Sequence, residues 1–231
     1  MVSIDYRLAP ETKLPAIIED LQDAYGWLRQ RGPKLFRIDP DRIAVTGQSA
    51  GGYLTLMSGF AVYPRPRVLL ALSGYGDITR SWYARPSPFY QREAPIPKEE
   101  AEKSVGTVCI SSPPEKNDPR YQFYFYCRQH GIWPQRVTGH DPETEPRWFD
   151  AYCPLRNVSS SYPPTILIHG TADTDVPFDE SANMEEQLSH FNVKHDFLRV
   201  PDGSHCLWKE SAAVKAQIFH KAMDFVTAQM S

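Results

Sequence analysis

Cysteine is scarce in this 231-residue chain: there are four, Cys109, Cys127, Cys153 and Cys206. They show neither paired layout nor metal-type spacing, which argues against a disulfide scaffold and against a cysteine-bound metal. Isolated thiols suit a reducing cytosol, so a cytoplasmic location is expected. Charge of one sign is also scarce. A formal net charge of −3 gives no reason to expect nucleic acid or an anionic membrane as partner. No apolar run approaches the ~20 residues of a membrane span. The first residues lack the layout of a signal peptide, and there is no internal repeat or low-complexity tract. Asn157-Val158-Ser159 matches a glycosylation sequon, a tripeptide common by chance that counts only in a secreted protein. What remains is the profile of one domain, residues 1–231, large enough to bury a sizeable core.

What is present is organised around residues 42–52, Arg-Ile-Ala-Val-Thr-Gly-Gln-Ser-Ala-Gly-Gly. Ile43, Ala44 and Val45 form a short apolar run with no helical stripe, which reads as a buried strand. Gly47-Gln48-Ser49-Ala50-Gly51 follows, and from Ala50 the spacing of Tyr53, Leu54, Leu56, Met57 and Phe60 is helical. A strand, Gly-x-Ser-x-Gly and a helix form the context of a nucleophile elbow. The glycines imply a turn too sharp for side chains on either side of Ser49, with Ser49 itself in a strained conformation. Such a turn would hold the hydroxyl near the positive end of the following helix. Read blandly, the same residues are only a small-residue turn.

A serine hydroxyl needs a base, usually His, and a carboxylate to orient that base. With this elbow the chain order is Ser, then Asp or Glu, then His. Thr165–His169 is a second buried-strand run that opens into Gly170-Thr171-Ala172-Asp173-Thr174-Asp175. A third, Asp196–Val200, opens into Pro201-Asp202-Gly203-Ser204-His205. Ser49, Asp173 and His205 therefore each fall just past the C-terminal end of a strand, the edge where open α/β sheets build their sites. That placement supports a Ser49, Asp173, His205 triad. Asp77 and Asp202 are weaker substitutes for the acid. Ser73 lacks the elbow glycines. His169, on a buried strand, reads as a hydrogen-bonded core histidine, and the remaining five histidines share no metal-type spacing.

Along the chain, Val2–Tyr6 reads as a strand. Pro15 begins a helix with Ile17, Ile18, Leu21, Ala24, Tyr25 and Leu28 on one face, ended by Gly32-Pro33. Val68–Leu72 is another buried strand, Asp179–Phe191 a helix, and Lys209–Met230 a closing helix. Strands alternating with helices predict an α/β fold, a mostly parallel sheet flanked by helices. Between Pro86 and Pro164 lie 13 of the 21 prolines, with a heavy aromatic load. A disordered linker would be poor in aromatics, so residues 78–161 read as an insertion packed over the strand ends. Lys98–Val105 and Arg120–His130 could form short helices in it. As a lid or pocket wall it would supply Trp82, Tyr83 and Phe89, beside Gln48 and Tyr75 near the strand ends.

These residues resemble the α/β-hydrolase superfamily, and within it the hormone-sensitive-lipase-like carboxylesterases. Val2–Glu11 is similar to that group's strand-and-turn motif, and Pro15–Asp20 to the helix after it. His169-Gly170-Thr171-Ala172-Asp173 with Val176-Pro177 is more similar to the acid loop of prolyl-oligopeptidase-type and feruloyl-esterase-like hydrolases. In both groups the acid is the residue matching Asp173, so the resemblance favours Asp173 over Asp175. It covers residues 1–77 and 162–228 and says little about the insertion. It implies hydrolysis of small to medium carboxylic esters through an acyl-enzyme on Ser49, with no cofactor and no metal.

The chain departs from that pattern at one place. These esterases carry a His-Gly-Gly motif before the strand that here starts at Val2, and it supplies oxyanion-hole donors. Here the only glycines before the elbow are Gly26 and Gly32, which leaves Ala50 N–H as the standard donor. Losing one donor costs about 10²–10³ in turnover. The strand leading into that motif would also be missing, so the expectation is an N-terminally truncated sheet. An exposed sheet edge would favour a homodimer. The alternative from another class is a non-catalytic or fragmentary α/β-hydrolase-like protein.

Overall fold

The structure, a computed structural model, describes residues 1–111 and 120–230. Pro113, Pro114 and Pro119 of the proline-rich stretch lie outside them. Four parallel strands form one sheet in the order β1 (Ala44–Gln48), β2 (Val68–Leu72), β3 (Thr165–Gly170), β4 (His195–Val200). Around them in chain order run α1 (Leu14–Phe36), α2 (Ala50–Ala61), α3 (Ser81–Ala84), α4 (Lys98–Glu102), α5 (Arg120–His130), α6 (Trp133–Thr138), α7 (Asp179–His190) and α8 (Ala212–Met230). The described residues fall into two compact units, one of residues 22–77 and 151 onward, the other of residues 1–21 and 78–150.

The first unit holds the sheet. Every residue of β2 and β3 is buried, as in a strand covered on both faces. Successive side chains point to opposite faces. Leu69, Ala71 and Leu167 therefore pack with Leu56 of α2 and with Met184 and Leu188 of α7. Val68, Leu70, Leu72, Ile166 and Ile168 pack with Ala222 and Val226 of α8. The register pairs Gln48 with Leu72, and Leu72 with Ile168. Ser49, Ser73 and His169 consequently lie in one row at the C-terminal ends of their strands.

Three expectations from the sequence change. Val2–Tyr6 is not a strand. The chain that follows spends its amides elsewhere, Arg7 N–H on the Asp20 carboxylate at 2.9 Å and Leu8 N–H on Ile110 C=O at 2.8 Å. The elbow strand β1 is not fully buried. Among the described residues it forms one edge of the sheet, with Ala44, Thr46 and Gln48 exposed. Helix α1 also runs through Gly32-Pro33 to Phe36. A residue before proline avoids the helical region because of its Cβ and the proline ring, and Gly32 has no Cβ.

The second unit buries aromatics around a charge. Arg128 of α5 is only 2 % exposed. Its guanidinium carbon lies 5.2, 5.1, 4.9 and 5.6 Å from the ring centroids of Trp82, Tyr83, Tyr90 and Tyr124. It donates to Tyr124 Oη at 2.7 Å and to Trp82 C=O at 3.3 Å. A buried charge is tolerated only when paired in this way. Helix α5 matches its predicted span, whereas α4 stops at Glu102, short of Val105. Arg136 of α6 clamps Glu102 through two bonds of 2.6 and 3.0 Å.

Candidate active site

Ser49 sits between β1 and α2 with φ 54° and ψ −119°, a conformation that costs a non-glycine residue about 1–3 kcal/mol. Two backbone bonds hold it there: Ser49 N–H donates to Leu72 C=O, and Ser49 C=O accepts from Tyr53 N–H, both at 2.9 Å. The glycine requirement differs from the sequence expectation. A Cβ on Gly47 would lie 2.3 Å from Gly51 C=O, but a Cβ on Gly51 would meet nothing within 4 Å. The second demanding position is Gly52, whose Cβ would lie 2.8 Å from Gly74 Cα. Helix α2 is thereby seated against the loop after β2. Ala50 is the first residue of α2, where backbone N–H groups lack intrahelical acceptors and carry the positive end of the helix dipole.

The three residues picked out by chain order meet. His205 Nε2 is 3.0 Å from Ser49 Oγ, and His205 Nδ1 is 2.7 Å from Asp173 Oδ2. Asp173 Oδ1 accepts the N–H groups of Asp175 and Val176, each at 2.9 Å. Asp175 comes no closer than 3.6 Å and faces Nε2, the nitrogen turned toward Ser49. It is therefore not placed to set the tautomer. The loops carrying acid and base are tied together: Ala172 N–H donates to Gly203 C=O at 3.0 Å and Asp202 N–H to Thr171 Oγ1 at 2.8 Å. Left-handed Asp202 (φ 54°) and Cys206 (φ 50°) bend the chain on either side of His205.

The electrostatics follow from burial and partners. Burial alone would raise the Asp173 carboxyl, but hydrogen bonds from His169 and His205 outweigh it and hold the group well below the usual carboxylate range. Burial would lower His205. The Asp173 carboxylate outweighs that, with help from Cys206 and the Asp175 charge, and raises the imidazole above its ordinary 6.5.

Of the remaining candidates, Ser73 is buried and its Oγ accepts Cys206 N–H at 3.1 Å, which braces the loop carrying His205. Asp77 pairs with Arg156 at 3.0 Å and accepts from Cys153 Sγ at 3.3 Å. Asp202 bonds through its backbone to Thr171. Tyr75 stacks on Tyr53 at 5.0 Å, and Gln48 ends β1. Trp82 and Tyr83 stack on each other at 4.2 Å in the Arg128 cage, and Phe89 is 38 % exposed beside Tyr90. His169 is buried and bonded, to Ser181 Oγ at 2.7 Å and to Val176 C=O at 3.1 Å, with its Nε2 3.2 Å from Asp173 Oδ2. Sequence reasoning did not reach Ser181, or Glu180, whose buried carboxylate accepts Gly76 and Asp77 N–H at 3.1 Å each. Neither carries a motif. The paired Gly170 and Gly203 were a legible signal, since two glycines in facing loops permit a close approach. Among the described residues no group of three or more His, Cys, Asp or Glu side chains is placed to hold a metal ion. Among them, too, no helix is long and apolar enough to cross a membrane.

A protein-family model described as an alpha/beta hydrolase fold matches residues 1–209. Esterase LipC of Mycobacterium tuberculosis is 27 % identical over 207 residues, which cover 88 % of this chain and 44 % of the esterase. The non-reducing polyketide synthase Preu6 of Preussia isomera is 29 % identical over 237 residues, 88 % of this chain and 11 % of the synthase. The chain thus spans less than half the length of these relatives. A solved structure of a protein of unknown function from Staphylococcus aureus subsp. aureus Mu50 matches with a TM-score of 0.77 at 21 % identity, covering 98 % of this chain and 77 % of that one. At that identity the likeness concerns the fold.

Proposed function

The chain belongs to the α/β-hydrolase fold family, and from that premise we propose that it is a serine hydrolase cleaving small to medium carboxylic esters through an acyl-enzyme on Ser49. The observation that carries this reading is one unbroken line of contacts, Ser49 Oγ to His205 Nε2 at 3.0 Å and His205 Nδ1 to Asp173 Oδ2 at 2.7 Å. Ser49 Oγ attacks the ester carbonyl carbon while its proton passes to His205 Nε2. Asp173 stabilises the resulting imidazolium and fixes its orientation. The tetrahedral oxyanion collapses, the bond to the alkoxy oxygen breaks, and His205 returns the proton to the departing alcohol. Water, deprotonated by His205, then attacks the acyl-enzyme and releases the acid, restoring Ser49. The reaction uses only side chains, backbone N–H groups and water.

Ala50 N–H, next to the nucleophile at the α2 N-terminus, is assigned to the oxyanion. Gln48 and Tyr75, near the C-terminal ends of β1 and β2, are assigned to the substrate pocket. The likeness to Esterase LipC supports an ester as substrate class. The four cysteines, none of them in a disulfide, support a cytoplasmic site of action. The open strand edges support a homodimer. A second reading is a non-catalytic or fragmentary α/β-hydrolase-like protein.

Hydrolysis of p-nitrophenyl acetate by the purified chain decides between them. Saturable turnover that falls to background in Ser49→Ala, with unchanged circular dichroism, is the expected result. Equal near-background rates in both folded proteins would overturn the esterase reading in favour of the non-catalytic one.

A further inference from the structure

The carboxylate of Asp173 is shared between two histidines, only one of which faces the nucleophile. We propose that His169 is a positioning residue for the reaction above: a buried imidazole set against the same Asp173 oxygen as His205 and itself held in one tautomer by Ser181. The inference rests on the serine-hydrolase reading.

His169 is the penultimate residue of the fully buried β3 and is 0 % exposed. Its Nε2 lies 3.2 Å from Asp173 Oδ2 and 3.1 Å from Val176 C=O. Both neighbours are acceptors, so Nε2 carries the proton. In the neutral ring Nδ1 is then an acceptor, and the Ser181 hydroxyl, 2.7 Å away, donates to it. Ser181 lies in the first turn of α7 and is itself buried, so bulk water does not stand in for it. The Phe178 ring meets the imidazole edge to face at 5.9 Å and closes another side.

Donors and acceptors then run without conflict from core to site. Ser181 O–H donates to His169 Nδ1, and the one His169 Nε2–H is shared between Val176 C=O at 3.1 Å and Asp173 Oδ2 at 3.2 Å. The same oxygen receives Nδ1–H of His205 at 2.7 Å, while His205 Nε2 is left to accept from Ser49. A carboxylate offers about four lone-pair sites. Those of Asp173 take two backbone N–H groups on Oδ1 and the His205 N–H on Oδ2, with the shared His169 N–H 3.2 Å from the same Oδ2.

Two consequences distinguish this arrangement from a histidine that merely fills the core. The carboxylate is held against His205 by the two backbone N–H groups on Oδ1 and by the His169 N–H at Oδ2. His169 also draws on the very oxygen that stabilises the His205 imidazolium, so it competes for that charge and restrains the basicity of His205. The other charged or titratable groups facing His205 are Asp173, Asp175 at 3.6 Å and Cys206. His169→Phe leaves all of these in place.

The test compares His169→Phe, His169→Gln and Ser181→Ala with the parent chain and with Ser49→Ala. The readouts are p-nitrophenyl acetate hydrolysis as a function of pH and the NMR titration of the His205 ring. His169→Phe removes the donor at similar volume. It should lower kcat roughly tenfold to a hundredfold, the scale on which partners of site ligands act, with KM within about twofold. It should also shift the His205 titration midpoint upward. Ser181→Ala should shift both readouts in the same direction by less, and His169→Gln, which keeps an N–H donor, should recover part of kcat. An unchanged kcat and an unchanged His205 midpoint in any folded variant lacking the donor would overturn the proposal. If the parent chain proves inactive, or Ser49→Ala proves as active as the parent, the hydrolase reading falls. The link from His169 to His205 is then still decided by the NMR titration.

Discussion

In the proposed mechanism Ser49 attacks only while His205 is neutral, and the neighbours of His205 set the pH at which that holds. Asp173 outweighs burial and raises the imidazole above 6.5, with Asp175 adding to the shift. A raised base is protonated over a wider range, so kcat/KM should climb with pH through a midpoint above that of a free histidine. A pH–rate profile checks this, and a midpoint below 6.5 would contradict it. Asp175→Asn removes a charge 3.6 Å from Nε2 and should move the midpoint down while leaving the Nδ1 contact intact. At this scale the line of contacts from Ser49 through His205 to Asp173 was legible in the sequence, because each of these residues follows a strand whose apolar run marks its end. The choice between Asp173 and Asp175 was not settled by periodicity, since both sit in the same turn. What separates them is which imidazole nitrogen each faces. Ser181 was illegible for a different reason: it meets His169 only because α7 folds back against β3, and no local pattern announces that.

Between elements, the decisive feature is how closely two loops approach. A Cβ on Gly170 would lie 2.2 Å from Gly203 C=O and 2.4 Å from its carbonyl carbon, distances that backbone atoms cannot relieve by rotating. Gly170→Ala should therefore push the Asp173 loop away from the His205 loop. The expected cost is about 2–3 kcal/mol in urea unfolding, with a fall in kcat because the Nδ1 contact lengthens. Gly51→Ala is the contrast. Its Cβ meets nothing within 4 Å, and alanine is favoured over glycine inside a helix by up to about 1 kcal/mol. Its stability should be unchanged or improved, and a loss above about 1 kcal/mol would contradict the local geometry. The strands and helices around these loops were readable wherever burial imposes a pattern. Every residue of β2 is apolar, and α7 turns Met184 and Leu188 inward as its period predicts. Ends were less readable. Helix α1 passes Pro33 because the residue before it is glycine, and β1 alternates exposure because it is an edge.

For the molecule as a whole, the question is what the aromatic-rich stretch is for. Its composition excluded a linker, and the structure gives part of that aromatic surface a packing role within one unit. Four rings surround the Arg128 guanidinium at 4.9–5.6 Å, while Ala101, Phe123 and Cys127 form a small apolar cluster beside it. The sequence showed the aromatics but not their centre, since an arginine in a helix reads as a surface residue until its neighbours fold over it. Burial at 2 % exposure makes the cage demanding. The cation is stabilised only while the ring faces, Tyr124 Oη and Trp82 C=O stay in place. Arg128→Met keeps much of the side-chain length but removes the charge and both hydrogen bonds, leaving the Tyr124 hydroxyl and the Trp82 carbonyl without that donor. Loss of one member of such a buried set should cost about 3 kcal/mol, read as a lower midpoint in thermal or urea unfolding. Arg128→Lys restores the charge but not the flat guanidinium that stacks on rings, and should fall between the two. Because no atom of Arg128 belongs to the Ser49–His205–Asp173 line, the hydrogen bonds of that line are unaffected in folded Arg128→Met. Its pH–rate midpoint should match that of the parent chain. A shifted midpoint with unchanged stability would reverse this assignment and make the cage part of the site rather than part of the scaffold.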